Sequence, residues 1–193
     1  SIELVRAEGW LRFEGVSLQY ANQPAPALDD ISLAIEPGET IALVGASGGG
    51  KTSLVNLVPR FFLPTTGRIT LDGHALDDIK LTNLRHQIAL VSQDVVLFND
   101  SVSANIAYGK QGTATPAEIE AAAAAAHCLD FIRALPQGFD TVIGETGALL
   151  SGGQRQRLAL SRALIKNAPT RLLDDTPPPL DSETALPAPA GPP

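Results

Sequence analysis

The sequence of 193 residues predicts an α/β fold, with short strands in its first third and helices in its middle. Three observations support this prediction. Apolar and polar residues alternate in short runs near the start of the chain, which is typical of strands. An apolar run, Ile41 to Val44, leads through a glycine-rich loop into a segment with helical spacing. From Asp100 onward the spacing is helical and includes six consecutive alanines.

The strands are predicted from short apolar runs bounded by turn residues. In chain order they are Leu11 to Tyr20, Ile31 to Ile35, Thr40 to Val44, Arg68 to Leu71, Ile88 to Ser92 and Arg171 to Asp174. The third of these is apolar on both faces, so we expect it to be buried inside a parallel sheet.

The helices are predicted from apolar spacing and from proline and glycine at their ends. In chain order they are Thr52 to Val58, a short segment at Leu81 to Gln87, Ser101 to Tyr108, Pro116 to Leu135 as one helix, and Ser151 to about Asn167. The central helices are predicted to form an insertion within the sheet domain.

Composition excludes several classes of protein. The formal net charge of −7 argues against a general nucleic-acid binder, because such binding depends on clustered Lys and Arg. No run reaches the roughly 18 apolar residues that span a bilayer, and the N-terminus lacks a signal-peptide pattern, so we expect a soluble chain. The single cysteine, Cys128, excludes an internal disulfide. The Pro/Ala-rich residues 176–193 are predicted to be disordered or extended, and the Ser1 start without any Met predicts a piece of a longer protein.

The residues Gly45-Ala46-Ser47-Gly48-Gly49-Gly50-Lys51-Thr52 match the pattern G-x-x-x-x-G-K-[ST], between a predicted strand and a predicted helix. Glycines here let backbone N–H groups turn inward around a phosphate, and the following helix N-terminus adds partial positive charge. Lys51 is predicted to reach the β- and γ-phosphates, and Thr52 to supply a hydroxyl to Mg²⁺. The pattern therefore predicts a P-loop that binds ATP, with Ser53 completing the site.

A second glycine-rich turn, Leu150-Ser151-Gly152-Gly153-Gln154, opens the last predicted helix about a hundred residues after the P-loop. A serine hydroxyl and two glycine amides at a helix N-terminus make another anion site. One domain needs only one γ-phosphate cradle, so we expect this site, Ser151 to Gln154, to serve a nucleotide held by a partner chain. With the P-loop, it resembles the LSGGQ signature of ATP-binding cassette (ABC) proteins.

The resemblance implies a P-loop NTPase fold of the ABC-cassette type: a mixed sheet core, an antiparallel β subdomain and a helical insertion subdomain. Residues 1–175 would form one ATP-binding domain, with the core at 10–95 and 168–175 and the helical subdomain at about 96–167. The resemblance stops after Asp181, where the family continues with a strand that carries a switch histidine. We therefore expect the cassette to be incomplete at its C-terminus.

The resemblance also implies roles for single residues. Gln93 is similar to the Q-loop glutamine, which in the family coordinates Mg²⁺ and senses the γ-phosphate. Tyr20 resembles the A-loop aromatic residue that stacks on adenine. Asp174 ends a Walker B-like run and would hold Mg²⁺. Asp175 stands where the family has its catalytic glutamate and is one methylene shorter, so we expect weak or absent ATP hydrolysis by this chain.

The segments Gln93 to Tyr108 and Thr141 to Glu145 (an X-loop) resemble those of exporters whose membrane and nucleotide domains share one polypeptide. Within that group, Asp72-Gly73-His74 and Leu97 to Asp100 are most similar to bacterial lipid A flippases. The implied partners are the exporter's transmembrane domains, which would dock on these segments, and a second cassette in a head-to-tail dimer around two Mg-ATP. The implied location is the cytoplasmic face of the bacterial inner membrane.

Two alternatives remain open from the sequence. The first is a nucleotide-binding fragment without useful turnover, favoured by Asp175 and by the missing switch histidine. The second is a soluble ABC ATPase of DNA repair or translation, which the exporter-like X-loop and the acidic charge disfavour. Phosphate release distinguishes the first alternative from a working motor.

Overall fold

The structure, a computed structural model, describes residues 1–46, 48–92, 94–144 and 149–174. The chain forms two compact units, Ser1–Ile88 and Ala89–Pro193. Asp175 and the predicted tail, 176–193, lie outside the described residues.

The first unit is built on an antiparallel sheet of four strands in the order β2-β1-β3-β4. Its strands are β1 (Leu11–Leu18), β2 (Leu28–Ile35), β3 (Thr66–Leu71) and β4 (His74–Ala75). In register, Leu11 of β1 lies opposite Ile35 on one side and Leu71 on the other. This sheet provides the antiparallel β part of the predicted fold, and its strand β4 was not predicted.

The described residues of the first unit also form two short α-helices, a 3-10 helix at Leu76–Asp78 and a tight turn. The helices are α1 (Lys51–Leu57) and α2 (Leu81–His86), each within one residue of its predicted bounds. The strands β3 and β4 join through Asp72 and Gly73, whose φ angles of 51° and 80° suit a two-residue hairpin loop. Both helices bury leucines, Leu54 and Leu57 in α1 and Leu84 in α2.

The predicted strand Thr40 to Val44 is wrong, because the structure shows no strand there. Val44 is 90% exposed and Leu43 is 39% exposed. A strand is defined by backbone pairing, and no strand within the described part of the chain pairs with this segment. The apolar pattern was read as burial, but burial also requires neighbouring strands and covering helices.

Within its described residues, the second unit contains two small strand pairs and four α-helices. The strand β5 (Ile88–Val91), which begins at the division, pairs with β8 (Thr170–Leu173), and β6 (Asp100–Ser101) pairs antiparallel with β7 (Val142–Ile143). The helices are α3 (Val102–Ala107), α4 (Pro116–Ala125), α5 (Leu129–Ala134) and α6 (Gly152–Lys166). Among the described residues, no helix is both long and apolar enough to cross a membrane.

The core of the second unit packs α3, α4 and α6 together around alanine, valine, leucine and isoleucine side chains. The small side chains Ala122 and Ala123 of α4 and Ala163 of α6 let these helices approach closely. Cys128 is fully buried in this core, and its Sγ lies 3.3 Å from the Ser161 hydroxyl. Burial raises the pKa of the Cys128 thiol, so this side chain packs as a neutral group.

The segment predicted as one helix, Pro116 to Leu135, is two helices, so that prediction is wrong. Helix α4 ends at Ala125, and α5 begins at Leu129 after a turn in which His127 has a φ of 56°. The predicted start is confirmed: Pro116 is the first residue of α4, and Thr115 caps the helix together with Glu118.

Candidate nucleotide-binding site

The glycine-rich loop 45–50 turns back on itself directly before helix α1. The Gly49 N–H donates to the Ala46 carbonyl oxygen at 3.0 Å, and Gly48 and Gly50 have φ angles of 80° and 86°. A Cβ added at Gly50 would overlap the carbonyl oxygen of Ala27. The loop therefore requires glycine at Gly50 for two independent reasons, the positive φ and the lack of space.

Lys51, the first residue of α1, folds back along the loop. Its ammonium group donates to the Gly45 carbonyl oxygen at 2.6 Å and approaches the Ala46 carbonyl oxygen at 3.5 Å. Thr52, the next residue, is exposed. Ser47 lies outside the described residues. The structure thus places a lysine and an exposed threonine at the end of the loop.

Tyr20 lies in the loop that joins β1 to β2 and contacts helix α1. Its phenol oxygen shares a hydrogen bond of 2.9 Å with the Ser53 hydroxyl. Its ring meets the ring of Phe62 edge to face, with centroids 5.4 Å apart. Ser53 follows directly after Lys51 and Thr52, so the tyrosine lies beside the P-loop residues within the first unit.

The predicted signature opens helix α6 in the second unit. Ser151 is the N-cap: its hydroxyl accepts from the Gln154 N–H at 3.2 Å, and the Gln154 side-chain oxygen accepts from the Ser151 N–H at 2.9 Å. This reciprocal pair fixes the first turn. A Cβ added at Gly153 would meet no heavy atom within 4 Å, so the turn is open on this side.

Asp174 follows strand β8 in the second unit and is 8% exposed. Its backbone N–H donates to the Val91 carbonyl oxygen of β5 at 2.8 Å, which places the carboxylate at the end of this strand pair. The other predicted residues near it, Gln93 and Asp175, lie outside the described residues.

The segment that follows Gln93 is held by a polar network that the sequence analysis missed. Asn105 is 1% exposed; its side chain accepts from the Phe98 N–H at 2.8 Å and donates to the carbonyl oxygens of Phe98 and Ser101, each at 3.0 Å. Arg162 of α6 donates to Asn105 and to the Val96 carbonyl oxygen, and its guanidinium stacks on the Phe98 ring. Burial lowers the pKa of Arg162.

The predicted X-loop contains strand β7. Thr141 is buried, its hydroxyl accepts from the Gln137 N–H at 3.0 Å, and its carbonyl oxygen accepts from the Val102 N–H at 3.0 Å. Val142 is exposed, whereas Ile143 is fully buried. Glu145 lies outside the described residues.

The sequence pattern of the ABC transporter family matches residues 28–177, which is most of the chain. The chain belongs to the ABC transporter family. It therefore carries the ATP-binding domain that defines ABC ATPases, and the resemblance read from the P-loop and the signature is confirmed.

Individual relatives of this ABC chain are bacterial. It is 57% identical over 182 residues to the ATP-dependent lipid A-core flippase of Dechloromonas aromatica and 59% identical over 182 residues to that of Thiobacillus denitrificans. These matches cover 94% of this chain and 31% of each flippase, so the chain spans about a third of their length. A flippase of Pseudomonas aeruginosa is 54% identical over 184 residues.

A solved structure confirms the predicted ABC-cassette fold. A bacterial Atm1-family ABC exporter with ATP bound superposes with a TM-score of 0.86 and is 42% identical. The match covers 94% of this chain and 32% of the exporter chain.

The ABC chain also contains a buried polar contact that its motifs do not predict. Asn105 lies on the same face of α3 as the buried residues Val102 and Ile106. A polar residue on an apolar face was the available signal, since buried amides are hydrogen-bonded. Nothing in the sequence marked its partner, Arg162, because the contact joins residues far apart in the chain.

Proposed function

We propose that this chain is the nucleotide-binding domain of an ABC exporter and binds Mg-ATP at residues 45–53. One observation carries the proposal: the glycine-rich loop leaves no space for a Cβ at Gly50, and the Lys51 ammonium folds back onto the Gly45 carbonyl oxygen. Backbone amides and one lysine are enough to hold a triphosphate locally, so the net charge of −7 does not oppose binding.

The residues also suit the magnesium ion that would accompany ATP. Mg²⁺ prefers oxygen ligands and keeps several waters. The Thr52 hydroxyl and the Asp174 carboxylate are ligands of this kind, and Gln93 would add an amide oxygen. Bound Mg²⁺ would neutralise charge on the phosphates. Asp175 would orient the attacking water as the general base in the family position, with Gln93 as the γ-phosphate sensor.

Within this proposal Tyr20 stacks on the adenine base. Its contacts with Ser53 support this role, because they place an aromatic ring beside the residues that would hold the phosphates. The turn Ser151 to Gln154 would contact the nucleotide of a second cassette in a head-to-tail dimer. The open side of Gly153 supports this, since the first amides of a helix have no intrahelical carbonyl acceptors and, among the described residues, the Ser151 hydroxyl accepts only from that of Gln154.

The proposed transported substrate is inferred from the names of the similar flippases. Because the flippases are named for lipid A-core, we propose that the longer protein exports lipid A or a similar lipid across the bacterial inner membrane. Its transmembrane domains would dock on the segment 93–108 and the X-loop 141–145, with this domain on the cytoplasmic side. The exposed side chains Val96, Tyr108 and Val142 support docking there, since apolar side chains favour contact with a partner.

ATP affinity of the Lys51→Ala variant tests the proposal. Removing a charged donor to phosphate costs about 1.5–3 kcal/mol, so we expect binding to weaken by about ten- to a hundredfold in isothermal titration calorimetry. Lys80→Ala is the matched control, because Lys80 is an exposed lysine of the same unit that pairs with Glu3. Equal ATP affinity in wild type and Lys51→Ala would contradict the proposal.

A further inference from the structure

Phe62 is an exposed aromatic residue to which no function has been assigned. It follows helix α1, is 43% exposed, and presents its ring to Tyr20 at an interplanar angle of 84°. A large aromatic side chain that stays exposed does not contribute the favourable free energy of burial to folding. Its ring contacts that of Tyr20, the residue proposed to stack on the base, which links Phe62 to nucleotide binding.

The loop that carries Tyr20 is held in place by hydrogen bonds of the neighbouring residue, Gln19. The Gln19 side chain donates to the carbonyl oxygens of Gln23 and Ala25, which closes the loop. The Gln19 backbone N–H donates to the Thr65 hydroxyl at 2.9 Å, which ties the loop to the segment just after Phe62. The position of the Tyr20 backbone is therefore set independently of its ring.

The ring itself has two contacts, one with Ser53 in the first turn of α1 and one with Phe62 in the segment after α1. The hydrogen bond to Ser53 fixes the phenol oxygen but leaves the ring free to rotate about the axis through that oxygen. Phe62 contacts the ring edge to face and so restricts this rotation. Stacking on a base needs one defined ring plane, and a ring already held in that plane loses less conformational freedom on binding.

We propose that Phe62 is a positioning residue that orients the Tyr20 ring for the adenine base. This proposal rests on the proposed role of Tyr20 in ATP binding. Phe62 acts on the base alone, through Tyr20, and makes no contribution to the phosphates.

The test compares binding of ATP with binding of inorganic tripolyphosphate, which has the phosphates and no base. We expect Phe62→Ala to weaken ATP binding about three- to tenfold and to leave tripolyphosphate binding within about twofold of wild type. Phe62→Tyr keeps the ring and should restore ATP affinity. Phe61→Ala is the matched control, because Phe61 is similarly exposed but packs on the Arg85 guanidinium; it should change neither affinity.

A double-mutant cycle decides whether Phe62 acts through Tyr20. If it does, Tyr20→Ala weakens ATP binding, and Tyr20→Ala with Phe62→Ala weakens it no further. Additive losses, or equal losses of ATP and tripolyphosphate in Phe62→Ala, would overturn the proposal while the ATP site stands. ATP affinity unchanged in Tyr20→Ala would overturn it together with the base-stacking role. Loss of tripolyphosphate binding in Lys51→Ala separately reports whether the phosphate site is correct.

Discussion

At the scale of single residues, the P-loop depends on backbone conformation more than on side chains. Gly50 combines a φ of 86° with close approach of the Ala27 carbonyl oxygen. Gly73, in the turn between β3 and β4, has a similar φ of 80° but open space around its Cα. These two glycines therefore separate the cost of the left-handed conformation from the cost of a steric overlap.

We expect Gly50→Ala to destabilise the chain by about 2–4 kcal/mol, the sum of the left-handed penalty and the overlap with Ala27. Gly73→Ala should cost only about 1–2 kcal/mol, because the left-handed backbone opposes alanine there but no atom overlaps its Cβ. Urea unfolding measures both values. Gly50→Ala should also weaken ATP binding, whereas Gly73→Ala should not. Equal destabilisation by the two substitutions would show that the approach of Ala27 is unimportant.

At the scale of elements, the break between α4 and α5 follows from a helix C-cap. The Cys128 N–H donates to the Ala123 carbonyl oxygen at 2.8 Å, and the His127 N–H donates to the Ala124 carbonyl oxygen at 3.1 Å. This is the Schellman pattern, in which the left-handed residue is usually glycine. Here histidine occupies it, with a φ of 56°.

We expect His127→Gly to stabilise the chain by about 0.5–1 kcal/mol, because glycine adopts the left-handed conformation without strain. Thermal or urea unfolding measures the gain. His127→Ala is the control, since alanine keeps the strain and should give no gain. If alanine stabilises as much as glycine, the cap is not the cause.

The elements also show what sequence patterns predict and what they cannot. Local signals succeeded: Pro116 marks the start of α4, and the glycine pattern places α1 correctly. The break at His127 was missed because alanine propensity is strong and histidine is not a usual stop signal. The predicted strand Thr40 to Val44 was wrong because the pattern reports only side-chain polarity, whereas a strand needs hydrogen-bonded neighbouring strands elsewhere in the chain. The proposed phosphate site can be predicted from sequence because its residues are contiguous in the chain. The Asn105–Arg162 contact joins residues far apart in the chain, so no sequence pattern predicted it.

At the scale of the whole molecule, the proposed head-to-tail dimer depends on the start of α6. Gly153 does not have a positive φ, and a Cβ there meets no heavy atom within 4 Å. An aspartate is therefore accommodated without strain, and its charge favours the helix N-terminus. The same charge would oppose the triphosphate held by a second copy.

We therefore expect Gly153→Asp to keep the stability and the ATP affinity of the single chain while abolishing ATP-dependent dimers. Analytical ultracentrifugation with and without saturating ATP and Mg²⁺ measures this, and wild type should shift toward dimer with ATP. Gly144→Asp is the matched control, because it adds the same charge at another open glycine of the second unit. Dimers in Gly153→Asp, or no ATP-dependent shift in wild type, would contradict a nucleotide shared between two copies. If Gly144→Asp forms ATP-dependent dimers and Gly153→Asp does not, the dimer contact lies at the signature turn. A general effect of added charge would prevent dimers in both variants.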